Sequence, residues 1–514
     1  MNWWQDTLTT ALVGTERKPL NRIPSHQLGA SDQLGHLLSQ LNYTDPEGAL
    51  LSAAAAISLH QRAGQLPLMN NQPLPEPCPP DELPVCSPRA AQHLKLIVME
   101  KQEQLLSEWL TATATTGRRA PEYCLPQLLE LGRTCRQLRP AILAVLGRRG
   151  RWLAAQNPEW NYVVGEDTEK TWTSGSLEAR QLLLQQLRTQ NPAAARKRLA
   201  AIWEQEQSEE RLGFLETFQI GLSLDDEPFL EAALDNRRKE VRQKAAQLLA
   251  QLPASHLCQR MAERVHAAIT LQQKRNRLHV DFTLPDTSDR GMTQDGIDSK
   301  QPPNLLGKKS WQILQLVAAT PLSVWSDIHE QPPAEWIQTA KRSEWDRTLV
   351  EGWAVAALRQ QNPDWAEALL STSSNFNDYL VSQDTLIRGL LGILSPERRN
   401  AFLLERLQSS RTPLDRTHPT FYLLYHCCYP WNAELTRAVI EGVQGNFTST
   451  VNSYEWLLRS PLKHFACYMN LSLVPEISAS LTAIAENKTQ WSEVIDEFLA
   501  FLSFRQEMLQ AFEA

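Results

Sequence analysis

Between positions 118 and 151 stand eight arginines, Arg118, Arg119, Arg133, Arg136, Arg139, Arg148, Arg149 and Arg151, against only Glu122 and Glu130 in the same span. Planar guanidinium forks suit phosphates and carboxylates, so these are the candidate binding residues, for a phosphate or an acidic partner. The competing reading is a solvated or carboxylate-paired helix face, and the net charge of -7 with a pI near 6.0 weighs toward it. A second cluster, His426, Cys427 and Cys428 with His464 and Cys467, offers enough nitrogen and sulfur for tetrahedral zinc. Its spacing matches no zinc knuckle and its flanks are apolar, so buried thiols and core histidines are expected there, with no metal. Cys78 and Cys86 have nothing nearby that would lower a thiol pKa and read as incidental. The sequence contains no phosphate-cradling G-x-x-x-x-G-K-[ST], no G-x-G-x-x-G, no H-E-x-x-H and no G-x-S-x-G. The expectation is a non-enzymatic protein without a cofactor.

The elements that position these residues are helices. From Asp226 to Pro253 the chain reads as two short helices hinged at Asp235 and Asn236. In the second, Val241, Ala245, Leu248, Leu249 and Leu252 share one face of a 3.6-residue period, while Arg242, Gln243, Lys244 and Gln247 take the other. One helix pair cannot bury such a face, so neighbouring pairs must stack on it. Ala195 and Arg196, with Leu199 behind them, repeat Val241 and Arg242 at an offset of 46 residues, and Leu183-Leu184 repeat Phe229-Leu230. That offset has the size of a HEAT repeat, about 40 to 47 residues. In such repeats the turn arginines typically pair with the acidic turn position, here Asp235.

Prolines punctuate the helices. Leu187-Arg-Thr-Gln-Asn-Pro192 and Leu358-Arg-Gln-Gln-Asn-Pro363 each read as helix, tight turn, helix, with Asn191 and Asn362 capping and the proline at the first helical position. Asn157-Pro158, Thr320-Pro321, Ser395-Pro396 and Ser460-Pro461 are candidates for the same junction. The chain divides by pattern into an N-terminal helical region (1–155) with a proline-rich connector (66–88), HEAT-like repeats (156–256), a linker (257–310) and a C-terminal helical region (311–514). The linker holds an alternating strand pattern, Leu278, Val280, Phe282 and Leu284, and a polar stretch, 286–304, read as a mobile loop. The fold class expected is all-α, a HEAT-like helical-repeat solenoid with a short strand or β-hairpin near 277–285. Leu50 to Leu59 reads as a buried helix, and the first residues as an amphipathic helix ending near Gly14.

No apolar run approaches the roughly 18 residues of a membrane span, and the start lacks the basic and long apolar regions of a secretion signal. The eight scattered cysteines read as thiols rather than a disulfide framework. A cytoplasmic protein is expected. Tryptophan, at 16, is frequent, and Trp152, Trp160, Trp172 and Trp203 are partner anchors if exposed and core if not.

The strings TALVGTERKP (Thr10 to Pro19), LRTQNPAAARKRLAAIWEQE (Leu187 to Glu206) and GLSLDDEPFLEAALDNRRKEVRQKAAQLLAQLP (Gly221 to Pro253) resemble an uncharacterised bacterial helical family, a domain of unknown function. Its members are typically encoded beside a MoxR-type AAA+ ATPase, a von Willebrand A-domain protein and a SWIM zinc-finger protein. The resemblance implies an adaptor within an ATPase and A-domain chaperone-like system, with those proteins as partners, and transfers no catalytic residue. The alternative is a HEAT-like nucleic-acid binder or DNA glycosylase, with the arginines on phosphates and Asp225, Asp226 and Trp203 as nominal base-excision residues.

Overall fold

The computed structural model describes residues 3–21, 33–64, 75–99, 103–163, 168–274, 277–284, 290–298, 307–372, 383–410, 412–448, 456–487 and 491–513. It is mostly helical, 73%, with 28 α-helices and one two-stranded antiparallel sheet among the described residues. No described helix is long and apolar enough to cross a membrane. The chain separates into two compact units between Pro77 and Cys78, inside the proline-rich stretch; residues 66–74 of that stretch lie outside the described residues.

The first unit holds α1 (Trp3–Val13), α2 (Gln33–Ser39) and α3 (Pro46–Gly64). Gly14 ends α1 with φ +93°, a conformation that L side chains resist, and its N–H closes on the Thr10 carbonyl. Leu34, Leu38, Ala53 and Ile57 form a small core. The helix expected to be buried along Leu50 to Leu59 is buried on one stripe only. Ala49, Ala53 and Ile57, four apart, face inward, while Leu51 and Leu59 are 71% and 66% exposed.

The second unit begins with α4 (Pro88–Met99) and α5 (Glu103–Thr115), followed by α6 (Leu125–Thr134), α7 (Arg139–Val145), α8 (Gly147–Ala155) and α9 (Thr168–Ser174). Next come the two helix pairs with the 46-residue offset: α10 (Leu177–Gln190) with α11 (Pro192–Ala200), then α12 (Ser208–Glu216), then α13 (Glu227–Ala233) with α14 (Lys239–Leu249). Leu184, Ala195 and Leu199 are buried, and so are Leu230, Val241 and Ala245 at the matching positions. Equal spacing has produced equal burial. α15 (His256–Ala268) runs without a break into β1 (Ile269–Lys274), which pairs antiparallel with β2 (Arg277–Phe282), Ile269 opposite Phe282 and Lys274 opposite Arg277. Val280, Phe282 and Leu284 bury the expected face. A five-residue helix, α16 (Arg290–Gln294), follows. In the stretch read as a mobile loop, 290–298 buries Met292 and Ile297, and its acids are ion-paired: Asp295 with Arg260 and Arg264, Asp298 with Lys239. Residues 286–289 and 299–304 lie outside the described residues.

The remainder is α17 (Lys308–Ala319), α18 (Ser323–Ile328), α19 (Pro333–Ala340), α20 (Asp346–Gln360), α21 (Pro363–Thr372), α22 (Gln383–Ile393), α23 (Pro396–Gln408), α24 (Phe421–His426), α25 (Ala433–Thr448), α26 (Trp456–Ala466), α27 (Val474–Asn487) and α28 (Ser492–Gln510). Within this unit α15 packs on α17, then α17 on α20, α20 on α22, α22 on α24, α24 on α26 and α26 on α28. α28 then packs against α4 and α5, where Arg505 grips Glu108 at 2.8 Å and Phe512 meets Trp109 edge-on. The circuit of neighbours therefore closes, and the end helices of the unit cover each other's apolar faces. Stacked repeats otherwise need polar capping helices at both ends.

The proline junctions mostly behave as their chemistry dictates. The Asn191 side chain accepts from the Ala194 N–H, Asn362 from Asp364 and Trp365, and Ser395 from Arg398, each with proline at the first helical position. At Thr320-Pro321 the Thr320 hydroxyl instead turns back to the Leu316 carbonyl, and the Gln360 side chain satisfies Leu322 N–H and Thr320 C=O. Ser460-Pro461 is no junction at all, because α26 passes through Pro461. Burial of Leu458, Leu462 and Phe465 on either side of it outweighs the one backbone bond that proline forfeits.

Candidate functional site

Seven of the eight arginines of the 118–151 span meet a specific partner. Arg119 is nearly buried between Asp81 (3.3 Å) and Glu122 (2.8 Å), and its Nε donates to the Leu83 carbonyl. Arg118 reaches the Val85 carbonyl at 3.4 Å. Arg133 forks onto Glu130 with Glu159 at 3.9 Å, Arg136 faces Glu178 at 3.8 Å, Arg148 pairs with Glu82, and Arg149 with Glu122 at 3.3 Å. Arg139 donates to the Gly132 carbonyl at 2.7 Å and lies over the Tyr162 ring. Arg151 is exposed on α8 with no carboxylate in ion-pair range among the described residues. Four of the six acids, Asp81, Glu82, Glu159 and Glu178, lie outside the arginine span in sequence, which is why the stretch reads as unbalanced when taken alone. Five of the eight, Arg119, Arg133, Arg136, Arg148 and Arg149, are thus ion-paired locally, Arg118 and Arg139 rest on backbone carbonyls, and Arg151 stands apart.

A different arginine cluster is buried. Arg188, at the end of α10, places Nη2 2.8 Å from Asp226 and donates through Nε to the Ile220 carbonyl (2.6 Å) and through Nη2 to that of Gly221 (3.0 Å). Arg196 approaches the other Asp226 oxygen at 2.6 Å, and the Ser223 N–H donates to the same carboxylate. Asp226 is 0% exposed. Burial pushes its carboxyl pKa up, but the two guanidiniums and the amide outweigh that and hold it below the ordinary value. A carboxylate so committed cannot take a proton from a substrate. Trp203, proposed beside it as an aromatic wall, is buried against Phe229 at 5.0 Å. Of the nominal excision residues, Asp226 and Trp203 are therefore core structure, while Asp225 is exposed. Trp172 is buried as well, and Trp160 is half-buried with its indole N–H on Glu130.

The turn chemistry differs from expectation at the second pair. Arg242 does not meet Asp235; its Nη1 donates to the Asn236 and Arg237 carbonyls at 2.8 and 3.0 Å, and Asp235 accepts from Gln294. The inserted α16 competes for the acid.

The His/Cys segments do converge, through α24 and α26. Cys467 contacts Gln104 Oε1 at 3.0 Å, His464 Nδ1 lies 3.4 Å from the same amide, and His426 Nε2 lies 3.3 Å from Asp384. Burial depresses both imidazole pKa values and raises the Cys467 thiol to about 12. Cys427 belongs to another environment, beside Trp431 and Arg399. Among the described residues no group of three such side chains could hold a metal ion. All eight cysteines are free thiols, and burial raises Cys86 to about 11.

One feature carried no sequence signal. A cavity of about 380 Å³ opens between α14, α15, α17 and α20, lined by Leu257, Met261, Leu314, Val355 and Arg359 among others. Its apolar walls are indistinguishable from core in the sequence.

These observations describe a mostly helical protein with one small antiparallel sheet, in which most of the conspicuous arginines are paired internally. Residues 6–512 match the sequence pattern of a family of unknown function, DUF5691, and the chain belongs to that family. No curated protein and no solved structure matches it.

Proposed function

We propose that the chain is a non-enzymatic interaction scaffold, a HEAT-like helical-repeat solenoid acting as an adaptor in the bacterial cytoplasm. The observation that carries this reading is the repeated pair, in which positions 46 residues apart are equally buried and neighbouring pairs complete each other's core. Helices joined this way expose a long run of side chains on fixed backbones, which suits recognition of a protein partner more than assembly of a reacting centre. The resemblance described above supplies the partners: a MoxR-type AAA+ ATPase, a von Willebrand A-domain protein and a SWIM zinc-finger protein. The test is affinity purification of the full chain from its native cells, followed by identification of what co-elutes. Stoichiometric recovery of an ATPase or A-domain protein is expected. A chain that elutes alone, or with nucleic acid only, overturns the reading.

A further inference from the structure

The motif Leu-Arg-x-Gln-Asn-Pro occurs at 187–192 and at 358–363. In both copies the arginine leaves the last turn of its helix and donates to carbonyls at the end of a neighbouring helix or turn. Arg188 reaches Ile220 and Gly221, and Arg359 reaches the Ala318 carbonyl at 2.8 Å. Beyond that shared capping role the two part. Arg188 closes on Asp226, whereas Arg359 has no carboxylate within ion-pair distance among the described residues and stands on the wall of the 380 Å³ cavity.

The other charges on that wall do not serve as its counter-ion. Asp295 is held by Arg260 and Arg264, each at 2.6 Å. Glu351 lies on the same face of α20 as Arg359 but eight residues earlier, about 12 Å along the helix axis. Burial lowers the Arg359 pKa to about 10, the cost of a guanidinium held without an anion, and Cys258 is the titratable group that acts on it. Cavities of roughly 300 to 1,000 Å³ with apolar walls and one or two fixed polar groups are the usual form of small-molecule sites.

We infer that this cavity binds a small organic monoanion, a carboxylate carried on an apolar body, with Arg359 gripping the carboxylate as Arg188 grips Asp226. The apolar body lies along Ala246, Trp311 and Val355, the apolar wall residues that keep accessible surface, with Leu257 and Met261 packed behind them. The inference goes beyond the scaffold reading and stands or falls separately from it.

The experiment is calorimetric titration of the full chain at pH 7.5 with octanoate, octan-1-ol and octylamine as probes. Octanoate is expected to bind with a Kd below about 1 mM, octanol at least tenfold more weakly, and octylamine not at all. Arg359→Gln is expected to weaken octanoate roughly tenfold to a hundredfold, as loss of a charge-assisted fork does, and to leave octanol unchanged. Val355→Phe keeps the guanidinium but fills the cavity, and should abolish both; it decides the question if Arg359→Gln does not fold. Octanoate that fails to bind, binds no better than octanol, is indifferent to Arg359→Gln, or survives Val355→Phe overturns the site.

Discussion

The two Leu-Arg-x-Gln-Asn-Pro junctions use the same residues to opposite ends. At the first, the guanidinium of Arg188 is fully enclosed, and its fork and Nε are taken by Asp226 and by backbone carbonyls of the following turn. At the second, Arg359 caps one carbonyl and then faces open volume. A local motif fixes where an arginine emerges, because helix phase and the proline turn fix the backbone. It does not fix what the arginine meets, since the partner comes from a distant segment. The same lesson appears on a smaller scale at the repeat itself. Arg196 pairs with Asp226, while its counterpart Arg242 settles on the carbonyls of its own turn.

The sharpest way to break the comparison is Asp226→Asn. It leaves two arginines, one of them wholly buried, without their anion, and removing one member of a buried pair costs about 3 to 5 kcal/mol. Amide exchange should then lose protection across α10 to α14 while α20 and α22 are unaffected. An Asp226→Asn protein as stable as the parent would show that the junctions do not differ. Acid should have the same effect more gradually. Because the folded carboxyl sits below the unfolded value of about 3.9, its contribution is complete above that pH and is lost as pH falls through the folded pKa. The parent should lose stability below about pH 4 more steeply than the Asn variant.

Gly221→Ala tests the first junction from the backbone side. Gly221 holds φ +62° so that its carbonyl can face Arg188, and an added Cβ would lie 2.9 Å from Pro192 Cγ. Left-handed backbone costs a non-glycine residue about 1 to 2 kcal/mol before any clash, so a loss somewhat above that range is expected by denaturant titration. Arg359→Gln, without ligand, should cost far less, about 0 to 1.5 kcal/mol, because the lost hydrogen bond is offset by removal of an uncompensated charge. If Arg359→Gln destabilised as strongly as Asp226→Asn, the second junction would have to be a filled structural site, and the ligand assignment would lose its motive.

What the sequence made legible is what backbone periodicity controls. The apolar faces of α11 and α14, the Asn191 and Asn362 caps, the Gly14 stop and the β2 face all follow from spacing and from residues with one dominant use. β1 was hidden because Ile269–Lys274 continues α15 with no glycine or proline to mark the change. Ser460-Pro461 misled because burial on both sides overrode the proline. The closure of α28 on α4 and α5 depends on contacts such as Arg505 with Glu108, almost 400 positions apart, and no local pattern encodes that. The candidate site was least legible of all: Leu257, Met261 and Leu314 look like core, and only the tertiary fold brings them near an arginine that has no acid in ion-pair range among the described residues.

The smallest effect is predicted for the arginines that are most conspicuous in the sequence. Arg133 and Arg136 are exposed and pair with Glu130, Glu159 and Glu178, which are themselves accessible. Pairs of this kind contribute little, because water solvates the separated charges almost as well and salt screens the rest. Arg133→Gln and Arg136→Gln together should leave the thermal midpoint unchanged within error. The same double variant should also leave any DNA association at low salt unaltered, since each guanidinium already faces a carboxylate that a phosphate would have to displace. A salt-dependent DNA complex that weakens with loss of these two side chains would mean that the acids give way. The 118–151 arginines, and not the buried junctions, would then be where the protein meets its partner.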